Sequence, residues 1–376
     1  MANSVKNVES KKHTGAKTMG IVFGIILAII IAATAVVFIL TKPVDDKSDK
    51  AVYVGGLLSS QSIEYKDASS KGLESNPIIK IMQIVWKGVD KDDKKNHAEQ
   101  TPPSKITKVK DIKYLDTGNP YHMLDVFYPE GELPSEGLPV IIDIHGGGWM
   151  YATKDLNEYY CMELASKGYT VFSISYRLVP DVTVNEQIQD CASALKWISE
   201  NMKNYPANPS SVMLTGDSAG GQLALYEAVL NQSPELREIF NTQATNLNIK
   251  ALLLTSPVAY MKSGGMYSVY TKPLWGKDYK EKSTYDFMDL SEIIEYADNM
   301  PPAIFVTSSG DNLAHDQTVT AYNLFQERGI ESQLIDYGEY KGEKLKHVFS
   351  VLDPFSEPSQ EVITEALDFY QKALLK

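Results

Sequence analysis

Cysteine is scarce in this chain, with Cys161 and Cys191 the only two among 376 residues. Two thiols make neither a disulfide framework nor a multi-cysteine zinc site, and both fall in stretches with helical patterning, so two buried free thiols are expected. Basic charge is short as well, with 36 Lys and Arg against 48 Asp and Glu and a formal net charge of −12. Binding a phosphate backbone needs a basic footprint, so no nucleic-acid partner is expected. The phosphate-cradling patterns G-x-x-x-x-G-K-[ST] and G-x-G-x-x-G are absent, and no internal repeat is evident. With 43% hydrophobic and 22% charged residues, the composition excludes a disordered chain.

What the chain does have is uneven. No charged side chain occurs between Lys17 and Lys42, and residues 20–40 (GIVFGIILAIIIAATAVVFIL) are almost wholly apolar. A helix of that length spans roughly 30 Å, the thickness of a hydrocarbon core. Lys6, Lys11, Lys12 and Lys17 precede it against one Glu9, so the positive-inside rule puts residues 1–19 in the cytoplasm and everything after Leu40 outside. A transmembrane anchor over 20–40 is the expectation, and the membrane a partner. The alternative is a cleaved secretory signal at Ala33-Thr34-Ala35, which would leave a greasy new N-terminus. With the N-terminal lysines set apart, the exported part is more acidic than the whole, which favours neutral over densely anionic substrates.

Residues 41–110 carry mixed charge, a Gly-Ser patch and Pro102-Pro103, and read as a linker or stalk. Residues 78–86 (IIKIMQIVW) form one amphipathic helix, either docking on the domain that follows or covering the mouth of a binding site. From 111 to 376 the texture changes. Short apolar runs at 124–128, 140–144, 170–175, 212–215, 250–255, 303–307 and 332–336 predict strands. Helical patterns lie between several of them, at 157–167, 184–202, 219–230 and 318–328, and a last one follows at 360–375. That alternation predicts an α/β fold, one domain with a mostly parallel central sheet flanked by helices. Such sheets bind ligands beyond the C-terminal ends of their strands.

Directly after the strand at 212–215 comes Gly216-Asp217-Ser218-Ala219-Gly220, opening a helix. This is G-x-S-x-G in the strand–turn–helix context of a nucleophile elbow, so Ser218 is the candidate nucleophile. A serine hydroxyl needs a base held by a carboxylate, and on this architecture the acid and then the histidine follow the serine in the chain. Of six histidines, only His315 and His347 lie after Ser218. His315 is four residues from Asp311 and starts a helix. His347 sits in a loop after the last strand, so it is the expected base and Asp311, just beyond the strand at 303–307, the expected acid, with Asp316 the alternative. After the strand at 140–144 comes His145-Gly146-Gly147-Gly148-Trp149. Its glycines free backbone N–H groups to receive an oxyanion, and Gly147, Gly148 and Ala219 are the expected donors, with Gly146 a further one. His145 is expected to brace this loop. Trp149, Asp217, Tyr267 and Trp275 are candidate pocket residues, the last two from a stretch that also holds Met261, Met266, Tyr270 and Leu274.

With HGGGW, GDSAGG, a strand leading to Asp311 and a late His-x-Phe at His347, the sequence resembles the α/β-hydrolase esterases of the hormone-sensitive-lipase-like group. Tyr176-Arg177-Leu178-Val179-Pro180-Asp181 is similar to that group's YRLAPE, and Pro301-Pro302 precedes the strand that leads to Asp311. The resemblance runs from about 111 to 376. It implies hydrolysis of carboxylic esters, commonly with short acyl chains, of small-molecule or carbohydrate substrates including acetyl and feruloyl esters, with no cofactor and no metal. Two departures stand out: Val348 follows His347 where a glycine is usual, and the loop at 338–346 is long and basic. Arg177 is read as an ion-pair partner. A serine peptidase or amidase, and a non-catalytic surface interaction protein, are the rival readings.

Overall fold

The computed structural model describes residues 30–45, 51–58 and 70–376. Eight strands form one sheet in the order β1-β2-β4-β3-β5-β6-β7-β8. They are β1 (Ile106–Lys113), β2 (Met123–Pro129), β3 (Leu138–Ile144), β4 (Thr170–Ile174), β5 (Ala207–Asp217), β6 (Ile249–Thr255), β7 (Ala303–Ser308) and β8 (Ser332–Tyr337). The first two pair antiparallel at one edge and the remaining strands run parallel, as the short apolar runs predicted. This is the α/β-hydrolase arrangement.

Alternation along each strand feeds two cores, because successive side chains point to opposite faces. Val140, Ile142, Leu214, Leu252 and Phe305 face one helical layer, while Ile141, Met213, Leu253, Ile304 and Val306 face the other. Cys161 and Cys191 are buried free thiols in helices on the two sides, as expected. The strand β1 was not foreseen. Its sequence ITKVKDIK alternates a few apolar positions with lysines, which suits an exposed edge and reads as linker, so the sheet begins ahead of the 110–111 boundary.

The stretch expected as a stalk is packed against the domain wherever it is described. Val54 bridges Tyr151, the Gly55 N–H donates to Met150 O at 2.8 Å, and the Ala152 N–H donates to Tyr53 O at 2.8 Å. The helix foreseen at 78–86 runs from Pro77 to Glu99. Asn76 caps it by accepting from the Ile78 N–H at 2.9 Å, and Pro77 occupies the first turn, where a missing N–H costs nothing. Its charged second half looks like a solvated face in the sequence, yet Asp90 is buried, and Asn96 and Gln100 donate to Leu352 O.

Among the described residues no helix is long and apolar enough to cross a membrane. The first ten residues of the expected anchor, 20–29, lie outside the described residues. Its remainder, residues 30–40, is helical with exposed apolar side chains.

Candidate active site

β5 ends at Asp217 and the helix Ala219–Leu230 starts at once, so Ser218 occupies the turn with φ +52°. That left-handed conformation is uncommon for a residue with a side chain, and packing must hold it there. The Ser218 N–H donates to Thr255 O at 2.9 Å and its carbonyl accepts from the Val258 N–H at 3.1 Å. Gly220 permits the close approach: a Cβ there would lie 1.9 Å from Ile144 O. The helix behind the serine points its N-terminus at the turn, favouring negative charge.

His347 Nε2 lies 2.9 Å from Ser218 Oγ, and His347 Nδ1 lies 2.9 Å from Asp311 Oδ1. Asp311 follows β7, and its side chain is fully buried, accepting from the N–H groups of Leu313 and Ala314 at 3.0 and 2.9 Å. Burial pushes its carboxyl up. The hydrogen bond and charge of His347, helped by the Ala314 N–H and Ser256, outweigh that and hold it at about 2. The basic loop before His347 is tied to β7 through Ser308 Oγ, which donates to Leu345 O at 2.6 Å. Val348 then sits at φ +51°, which gives the physical reason a glycine suits this position. His315 pairs with Asp316 and Asp336 at the helix start, and Asp316 is exposed, so neither joins Ser218.

No acceptor among the described residues takes the N–H of Gly147, Gly148 or Ala219, which leaves three donors beside the Ser218 turn. Gly146 is a correction: its N–H is spent on Asp217 Oδ1 at 3.0 Å. Asp217 is a second correction, for it is buried beneath the turn. It also accepts from Asn157 Nδ2 at 2.8 Å, and Asn157 reaches Asp143 as well. Burial raises Asp217, and burial together with the charge of Asp217 pushes Asp143 up to about 8. His145 braces the loop as expected, stacked on Tyr176 with Nδ1 2.7 Å from Gly146 O, and burial lowers its pKa to about 4. Arg177 makes a two-pronged ion pair with Asp190 at 2.8 and 2.7 Å.

Of the expected pocket residues, Tyr267 lines a cavity of ≈ 830 Å³ beside Asp311, with Ile78, Val269, Tyr270 and Leu313. Trp149 and Trp275 do not. Trp149 is fully buried, its Nε1–H donating to Gln222 Oε1 at 3.1 Å, and Trp275 is buried among Tyr226, Phe240 and Met261. Indole area buys more stability inside such clusters than at a pocket wall. Met261 and Leu274 are buried too, and the Met266 side chain lies outside the described residues. Two residues had not been singled out. Trp86, from the helix Pro77–Glu99, stacks on Tyr151 at 5.5 Å and covers Gly148, where a Cβ would meet its ring at 2.3 Å. Asp93 on the same helix accepts from the Tyr151 hydroxyl at 3.2 Å. The aromatic in IIKIMQIVW was the only signal available for Trp86.

The model of the BD-FAE family matches residues 124–325. Esterase B from Lactobacillus rhamnosis, solved with a tributyrin phosphonate inhibitor, superposes with a TM-score of 0.74 at 29% identity, covering 79% of this chain and 95% of that one. The chain is also similar to the probable carboxylic ester hydrolase LipM of Mycobacterium tuberculosis, 25% identical over 64% of this chain and 56% of LipM. An isoprenylcysteine alpha-carbonyl methylesterase of Arabidopsis thaliana is 24% identical over 58% of this chain and 53% of its own length. The chain thus spans about half the length of these two curated relatives.

Proposed function

The chain belongs to the BD-FAE family and carries the α/β-hydrolase framework of the hormone-sensitive-lipase-like esterases, and from that premise we propose that it is a membrane-anchored serine carboxylesterase. The observation that carries the reading is His347 bridging Ser218 and Asp311 with two 2.9 Å contacts. Ser218 Oγ attacks the ester carbonyl while His347 Nε2 takes its proton. Asp311 keeps the imidazole oriented and stabilises its charged form. The tetrahedral oxyanion is received by the N–H groups of Gly147, Gly148 and Ala219. Collapse expels the alcohol, which takes the proton from His347. Water activated by the same imidazole then releases the acid from the acyl-enzyme.

Small-molecule esters with short acyl chains are the proposed substrates, consistent with the tributyrin-derived inhibitor bound by esterase B. Acetyl esters of carbohydrates lie within this class, and feruloyl esters of carbohydrates, with a bulkier aromatic acyl group, are proposed beside it. The anchor is residues 20–40, with residues 1–19 in the cytoplasm and the catalytic domain outside, a reading supported by the apolar run and the four lysines before it. Ser218→Ala is expected to lower p-nitrophenyl acetate turnover by about 10⁴-fold or more while leaving the thermal unfolding profile in place. Retained turnover would exclude Ser218 as nucleophile. Matched ester and amide substrates separate an esterase from an amidase, the ester being expected to turn over and the amide not.

A further inference from the structure

The first half of the helix Pro77–Glu99 is apolar on both faces. Inward it buries Ile79, and outward it leaves Ile81 56% and Val85 47% exposed. Ile78, Ile81 and Val85 follow helical spacing and form one stripe. Ile78 reaches the cavity beside Asp311, whose rim continues in Val269 and Leu313, themselves 59% and 54% exposed. Monomeric proteins rarely leave a contiguous apolar surface beside a site without a partner for it.

A second observation says what that partner is. The described end of the apolar run, residues 30–40, stops against this same helix, with Lys87 Nζ donating to Leu40 O at 3.1 Å. Phe38 and Ile39 there are 74% and 69% exposed. Further on, Lys94 Nζ donates to Ala51 O at 3.3 Å and the chain at Tyr53 and Gly55 is bonded to the loop at Met150 and Ala152. The end of the run is therefore fixed to the catalytic domain rather than held away by slack chain. Along the helix, Ile78 lies only roughly 14 Å from Lys87. Between 77 and 89 the charged residues are Lys80 and Lys87, with no acid, although the whole chain carries −12. The exposed Asp316 on the same cavity offsets these lysines, so it is the apolar stripe that suits a lipid surface.

We propose that this rim rests on the bilayer in which the chain is anchored, so that the cavity opens on the membrane surface and takes esters presented there by lipid-like molecules. The proposal rests on the anchored-esterase reading above. It assigns Ile81 and Val85 to seating the enzyme, with no part in the chemistry.

The test uses the full chain reconstituted in phosphatidylcholine–phosphatidylglycerol vesicles, with Ile81→Asp/Val85→Asp compared to the parent. Hydrolysis of a dibutyryl glyceride dissolved in the vesicles is expected to fall by about tenfold or more, with p-nitrophenyl acetate turnover unchanged. Equal effects on both esters, or on neither, would overturn the proposal, as would a cross-linked dimer through this face. An environment-sensitive fluorophore on Ile81→Cys reads the seating without turnover, since Cys161 and Cys191 are buried. Blue-shifted emission quenched by lipid-borne nitroxide is expected, and water-like emission would contradict it. Failure of the parent to float with vesicles would remove both the anchor and the seating. A seated probe on a chain that hydrolyses neither ester would sink the esterase reading and leave the seating standing.

Discussion

The two walls of the site are built differently. On one side, Ser218 is held by backbone against backbone: β5, the helix Ala219–Leu230 and the β3 loop approach so closely that Gly220 has no room for a Cβ. On the other, the helix Pro77–Glu99 lies over the glycine loop through side chains, Trp86 on Gly148 and Asp93 on Tyr151. Backbone packing leaves no alternative arrangement, so it fixes the reacting atoms. Side-chain packing tolerates exchange, so it suits the part of the site that decides what enters.

Substitutions on the two walls therefore have different consequences. The largest effect is expected for Gly220→Ala, whose Cβ would meet Ile144 O at 1.9 Å. Denaturant unfolding should show a loss of about 3 kcal/mol or more, with activity lost alongside. Trp86→Ala should cost roughly 1–3 kcal/mol, because the indole is only partly buried, and should leave Ser218 chemistry intact. A chain-length series of p-nitrophenyl esters should then shift toward longer acyl groups; an unchanged profile would mean that the arm does not shape access.

The smallest effect concerns pH. Burial pushes Asp93 up to about 6, with the charges of Asp90 and Asp92 adding to it and the hydrogen bond from Tyr151 opposing. A carboxyl whose folded-state pKa is raised favours the fold while protonated. Its contribution is therefore full below about pH 4, the ordinary Asp range, and is lost as pH rises through about 6. Asp93→Asn keeps an acceptor for Tyr151 and should remove that part of the pH dependence. Melting temperatures of the two proteins across this window provide the check, and parallel curves would contradict the assignment.

The difference between the walls also governs what could be read from sequence. Strand–Gly-x-Ser-x-Gly–helix is a backbone requirement written in residue types, so the Ser218 turn was legible, and the order of acid and base along the chain led to Asp311 and His347. Gly146 was misread because nothing in HGGG tells which N–H is already taken; that depends on Asp217, 71 residues away. Asp217, Trp149 and Trp275 were misread for a related reason. A carboxyl or indole next to a site has the same letter whether it faces substrate or core, and only tertiary packing decides. The helix Pro77–Glu99 was half legible, because its charged second half docks through polar side chains that resemble a solvated face. β1 escaped because an edge strand with outward lysines carries little apolar signal.

The central claim is that Ser218 is activated by His347, and labelling with a fluorophosphonate tests it without knowledge of the substrate. Mass spectrometry of the digested protein should find the adduct on the peptide containing Ser218, and His347→Ala should abolish it. Absence of the adduct from the folded parent protein, or labelling undiminished in His347→Ala, would contradict the account.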